Sequence, residues 1–210
     1  MKERPILFSS PMVRALLDGS KTQTRRAIKI QPHIDSMGNF IWNEMNFGQE
    51  IGGEPCVRNF IKFHCPYGKI GDRLWVRETW AKAKSHTSSH IFYKADGDNQ
   101  QGKQFALSYT ERENKWRPSI HMFRDYSRIN LEITAVRVER LNDISDADAK
   151  AEGVLQVESD GYQNYDGTGG YWGSAVNSFE TLWESINGTG SWQANPWVWV
   201  VEFKRIGANE

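Results

Sequence analysis

The 210-residue chain has two cysteines, Cys56 and Cys65, and a formal net charge of zero. Two thiols cannot supply the dense disulfide framework of a small secreted scaffold. No stretch approaches the ~20 apolar residues that a membrane-spanning helix needs. The opening charges Lys2, Glu3 and Arg4 lead into no long apolar run, so no signal peptide is read. Together these absences predict a soluble, cytoplasmic protein with reduced thiols and no membrane partner. Zero net charge excludes a polycation along the whole length. Phosphate-loop, dinucleotide-fold and serine-elbow signatures are all missing, which leaves those enzyme classes without support. Cys56, His64 and Cys65 have a C-x8-C spacing, not the paired C-x2-C of structural zinc sites. No metal and no cofactor is expected.

What is present can build a core: 39% of residues are hydrophobic, and nine are tryptophan. The length fits one domain, 1–210, carrying large insertions. Charge is distributed locally. Residues 1–30 hold seven Lys/Arg against two Asp/Glu, whereas residues 143–185 hold nine Asp/Glu against one Lys. Such polarity bears on anionic partners.

"SPMVRALLDG" predicts a helix over Pro11–Asp18, with Ser10 as N-cap and Gly19 as terminator. "TRRAIKI" and "RLWVR" read as strands. "SRINLEITAVRVERL" alternates at Ile129, Leu131 and Ile133, slips between Ala135 and Val136, then resumes, as a β-bulge would make it do. Ser145 and Asp148 are spaced as a capping box for a helix over Ser145–Glu152 that Gly153 stops. A third helix is expected over Ala175–Ile186, and "NPWVWVVEFKRI" reads as a closing strand. Residues near 32–70, 82–117 and 156–173 read as insertions. Strands outnumber helices, and the helices lie near the two ends. The fold class is therefore α+β, with a mostly antiparallel, closed sheet.

Three constellations carry chemistry. In "GSKTQTRR", Lys21 and Thr24 follow a helix exit. A neutral lysine can serve as base for a nucleophilic hydroxyl when burial or nearby charge, here Arg25 and Arg26, lowers its proton affinity. The same residues can equally form a solvated basic turn. Glu152 sits at the negative end of its helix dipole, a placement that costs about 0.3–1 kcal/mol and can mark a site. In "LWVRETW", Arg77 and Glu78 beside Trp75 and Trp80 suit base stacking, or an ordinary strand with core tryptophans. His121 is an acid/base candidate or a structural histidine.

"LLDGSKTQTRR", "GDRLWVRE", "VRVERLNDISDADAKAEGV" and "WVWVVEFKRI", in that order and across nearly the whole chain, resemble the ASCH domains of the PUA-like superfamily, in the larger form often found in prophages. The resemblance implies a small, mostly antiparallel β-barrel with flanking helices and a cleft that binds RNA or nucleotides. Some compact bacterial members are amidohydrolases that remove the acetyl group from the exocyclic amine of acetylcytidine. Their lysine, threonine and glutamate map onto Lys21, Thr24 and Glu152. Arg25, Arg26, Trp75, Arg77 and Glu78 are the expected substrate contacts. Two expectations result: a metal-independent amidohydrolase acting on an acylated cytosine nucleoside, or a non-catalytic module binding single-stranded RNA or DNA. The chain is about twice the size of the compact enzymes, and its region 82–117 and the loop near Gly161 to Gly173 fall outside them.

Overall fold

The computed structural model describes residues 1–52, 56–84, 89–97, 116–157 and 161–207. In chain order the elements are β1 (Glu3–Leu7), α1 (Ser10–Asp18), β2 (Gln23–Ala27), β3 (His33–Ile34), β4 (Phe40–Trp42), β5 (Met45–Asn46) and α2 (Arg58–His64). They continue as β6 (Arg73–Arg77), β7 (Trp80–Lys84), β8 (Ser89–Tyr93), β9 (Asn130–Arg140), α3 (Asp146–Ala151), β10 (Gln156–Val157), β11 (Gly161–Gln163), β12 (Tyr171–Trp172), α4 (Ala175–Asn187) and β13 (Trp197–Ile206). The class is mixed α+β.

The main sheet has the order β1-β6-β9-β13-β2. Only the β1–β6 pair is parallel. Its long central strands, β9 and β13, follow from the alternating apolar residues of both segments. Between Glu202 and Phe203 the pairing partner jumps from Ala135 to Ile133. Thr134 is thus the extra residue of a bulge, within two positions of the slip in the sequence pattern. Every residue from Trp197 to Val201 is buried. Val198 and Val200 enter a large core with Leu74, Leu131, Ile133 and the apolar face of α4, while Trp197 and Trp199 enter a second cluster around Phe40 and Phe60. A strand covered on both faces reads as an unbroken apolar run.

The expected closed barrel is not what forms. Among the described residues no sheet closes on itself, and β1 and β2 remain edges with no ladder between them. Pro5 in β1 suits an edge strand because it has no N–H to donate. One side chain crosses the gap: Arg26 Nη2 donates to the Leu7 carbonyl at 2.8 Å.

The predicted insertions have structure of their own. Region 32–70, read only as an insertion, holds the three-stranded β3–β4–β5 sheet and α2. Within 82–117 a strand begins at Ser89 and gives way to a 3-10 turn at Lys94–Asp96. Residues 98–115 of the 82–117 insertion lie outside the described residues. Among the described residues, no helix is long and apolar enough to cross a membrane.

Candidate active site

Three chain segments meet at one point. Helix α1 ends at Gly19, whose φ of +86° turns the chain so that Lys21 N–H donates to the Ala15 carbonyl at 2.9 Å. Thr22 N–H then donates to the Ala151 carbonyl at 2.9 Å, which docks the start of β2 against the end of α3. Ser145 caps α3 by accepting from the Asp148 N–H at 3.1 Å. The Asp148 carboxylate does not complete a capping box; it turns to two arginines instead. Gly153, at φ +81°, ends the helix where no side chain fits: a Cβ there would lie 2.8 Å from both the Ala15 and Lys21 Cβ atoms.

This close packing puts Lys21 onto Glu152, 131 residues away. Lys21 Nζ donates to the Glu152 backbone carbonyl at 2.6 Å and to its Oε2 at 3.0 Å. The unfavourable position of a carboxylate at a helix C-terminus is thereby offset, because one ammonium group answers both the carbonyl and the carboxylate. Both residues are buried, at 4% and 3% exposure. Burial pushes the Lys21 ammonium below its ordinary value. Glu152 pulls it back, and Arg26 and Arg25 push it down further, so the net direction is down.

Thr24 is buried on β2 opposite Val201. Among the described residues its hydroxyl has no hydrogen-bond partner, and Lys21 is not within bonding reach of it. Lys21, Thr24 and Glu152 all line one cleft of about 650 Å³ that occupies the gap between the edges β1 and β2. Its apolar wall comes from Phe8 and from Phe179, Leu182, Trp183 and Ile186 of α4. The Phe8 ring centroid lies 5.4 Å from the Lys21 ammonium and 5.3 Å from the Arg26 guanidinium, within cation–π range. A cleft of this size and mixed lining suits a nucleoside-sized ligand.

The other predicted contacts part company here. Arg26 lines the cleft. Arg25 also borders it, but its side chain is fully enclosed and committed to three carboxylates, Glu139, Asp148 and Glu152, so it is not free to meet a phosphate. Trp75, Arg77 and Glu78 do not line the cleft. Trp75 is covered by two guanidinium groups, Arg77 at 4.6 Å and Arg124 at 5.9 Å, which leaves its faces occupied. Glu78 is buried and bidentate to Arg128 at 2.9 and 3.0 Å, and Arg128 grips Asp96 at 2.7 and 2.9 Å. Burial pushes the Glu78 carboxyl up, Arg128 lowers it and Asp96 adds to the rise, with a net upward shift. This box ties the 3-10 turn after β8 and the chain before β9 to the corner after β6.

Cys56 and Cys65 are free thiols, and His64 packs against Trp42, Phe47 and Phe60. Among the described residues no group of three or more His, Cys, Asp and Glu side chains is placed to hold a metal ion. His121 is exposed on a 3-10 turn, outside the cleft.

The sequence reading missed Phe8, Glu139, Asp148 and the α4 wall. A signal existed for one of these: Arg137 and Glu139, two apart on β9, share a strand face, and opposite charges so placed call for partners. Comparison with family models, with curated proteins and with solved structures finds no match.

Proposed function

We propose that the chain is a metal-independent amidohydrolase that removes an acyl group from the exocyclic amine of a cytosine nucleoside, on the PUA-like, ASCH-type plan that its motifs resemble. One observation carries this reading: a buried lysine–glutamate pair borders a nucleoside-sized cleft beside an unpartnered threonine hydroxyl. The fold part of the reading rests on the order of the motifs, while the main sheet leaves open the barrel that this plan implies.

In this mechanism Lys21 first loses its proton to solvent, which its enclosed, cation-flanked position favours. Thr24 Oγ attacks the acyl carbonyl carbon, and its proton passes through one bridging water to the Lys21 amine, which lies beyond direct hydrogen-bond reach of the hydroxyl. The tetrahedral adduct collapses with cleavage of the carbon–nitrogen bond, and Lys21 returns the proton to the departing cytosine amine. Water then hydrolyses the acyl–Thr24 ester, releasing the carboxylic acid and restoring the hydroxyl. Glu152 keeps the Lys21 side chain at the cleft throughout.

The test is turnover of a panel of N4-acylated cytidines, read by mass spectrometry. Lys21→Ala and Thr24→Ala should each lower the rate by at least ~10²-fold, the lower end for general acid–base groups. Thr24→Ser should retain part of it. The rate should rise with pH and be indifferent to chelator. No turnover of any acylated nucleoside by the purified protein refutes the hydrolase.

A second reading, a nucleobase-binding module without chemistry, is favoured by one feature. The Lys21 ammonium is closed onto Glu152 and makes no hydrogen bond to Thr24. In that case a single strand binds with a salt-dependent affinity to which Arg26, not the enclosed Arg25, contributes. Arg26→Ala should then reduce the log–log salt slope by about 0.7.

A further inference from the structure

A dense cluster of charge lies beside the cleft. Arg25, Val200 and Arg137 stand in one row across β2, β13 and β9. Two carboxylates bridge the two arginines. Glu139 accepts from Arg25 Nη2 through Oε1 and from Arg137 Nε through Oε2, the latter at 3.0 Å. Asp148, carried over the row by α3, accepts from Arg25 Nη2 at 3.3 Å through Oδ2 and from Arg137 Nη2 at 3.0 Å through Oδ1. The result is a closed ring, Arg25–Glu139–Arg137–Asp148. Arg137 is anchored further by Glu202. The ring uses Nη2 of Arg25 and leaves Nη1 pointing at the cleft side, where it meets Glu152 Oε1 at 3.4 Å. Glu152 Oε2 is the oxygen that Lys21 holds.

We propose that Arg25 is the positioning residue of this site: its guanidinium, fixed from behind by Glu139 and Asp148, aims the Glu152 carboxylate at Lys21 and contacts no substrate. The proposal rests on the hydrolase reading for its catalytic consequence. A lysine ammonium in place of Arg25 would be a point charge without a rigid fork, so it would not serve ring and Glu152 together. Arg25 has a second effect through space. A fixed cation beside the Lys21–Glu152 pair makes proton loss from Lys21 easier. The elements that meet near Lys21 carry Asp148 on α3 and Glu152 just after it, Arg25 and Arg26 on β2, Arg137 and Glu139 on β9, Glu202 on β13, and Asp18 at the end of α1. Asp18 is engaged by the Ser20 N–H at 2.8 Å. Of these, Glu152, Arg26 and Arg25 act on Lys21 directly.

The experiment compares Arg25→Gln and Arg25→Lys with the wild-type protein, using kcat and KM against pH on an acylated cytidine. A 13C/15N-lysine NMR titration of Lys21 runs alongside without substrate. Arg25→Gln should lower kcat about tenfold or more at neutral pH with KM within twofold. It should move the midpoint of the kcat/KM profile, and the Lys21 titration, up by about one pH unit, the size expected for removal of a nearby like charge. Arg25→Lys should restore the midpoint while kcat stays low, since charge returns but the fork does not. A rise in KM with kcat intact, or an unmoved midpoint in Arg25→Gln, overturns the proposal. If Arg25→Gln does not fold, Arg25→Lys decides by the same split: reduced kcat with unchanged KM supports it, and raised KM overturns it. If wild type turns over nothing while the Lys21 titration still moves in Arg25→Gln, the hydrolase fails and the positioning of the pair stands.

Discussion

Gly153→Ala tests the junction of α1, β2 and α3 most directly. Two effects add there. The left-handed backbone costs a residue with a Cβ about 1–2 kcal/mol. The new methyl would also stand 2.8 Å from the Cβ atoms of Ala15 and Lys21, both in a packed interior. Overpacking of that kind costs about 1–3 kcal/mol. The total is about 2–5 kcal/mol, which for a chain of this length lowers Tm by about 4–20 °C. Gly19→Ala is the matched control: Gly19 has φ +86° against +81° at Gly153, but nothing lies within 4 Å of its added Cβ. It should lose only the backbone share, about 1–2 kcal/mol. Both are measured by urea unfolding followed through tryptophan fluorescence, with turnover of an acylated cytidine assayed on the folded fractions. Gly153→Ala should also depress kcat, because the displaced atoms belong to Lys21. Equal destabilisation by the two substitutions would refute the close packing as the reason for a glycine at 153.

Stability should also depend on pH through Lys21. Its folded-state affinity for a proton is lowered, chiefly by burial, relative to an unfolded value of 10.5. Between the depressed value and 10.5 the unfolded chain holds a proton that the folded chain has released, so the unfolding free energy rises with pH across that window. Lys21→Met should flatten the rise, and unchanged urea midpoints from pH 7 to pH 10 relative to wild type would count against it. Glu78→Ala strands the buried part of the Arg128 box and should cost about 3–5 kcal/mol in stability. Its KM for an acylated cytidine should stay at the wild-type value; a rise in KM would return Glu78 to the ligand contacts. Phe8→Leu keeps an apolar wall but removes the ring between Lys21 and Arg26. It should raise KM severalfold with little loss of stability, read from initial rates and thermal melts.

Much of the frame was legible because it rests on local chemistry. Ser145, Gly19 and Gly153 punctuate their helices as such residues do, and the broken alternation after Ile133 announced the bulge. Helix α2 was not legible. Val57 precedes it without a side-chain cap, and Phe60 is its one buried residue, so neither boundary nor periodicity stands out. For the site, the sequence pointed to Lys21, Thr24 and Glu152 through a motif resemblance and an awkward carboxylate. It did not reveal that Arg25 turns inward and Arg26 lines the cleft. Adjacent residues on a strand point to opposite faces, and which face carries the carboxylates depends on partners 114 to 127 residues away. That Trp75 stands apart from the cleft was hidden for a related reason: the guanidinium groups beside its ring include one from Arg124, far along the chain.

The distance along the chain between Lys21 and Glu152 also has a kinetic meaning. Their contact closes a loop of 131 residues, for which the length-dependent part of loop-closure entropy is about 4 kcal/mol. Ordering that loop is repaid only once β9 and β13 have paired and α3 has docked on the sheet. Contacts of such long range slow folding. Much of the tryptophan burial belongs to the central strand itself, at Trp197 and Trp199. The β13–β2 ladder joins residues still further apart, so the cleft and the strand that buries Trp197 and Trp199 both wait on long-range pairing.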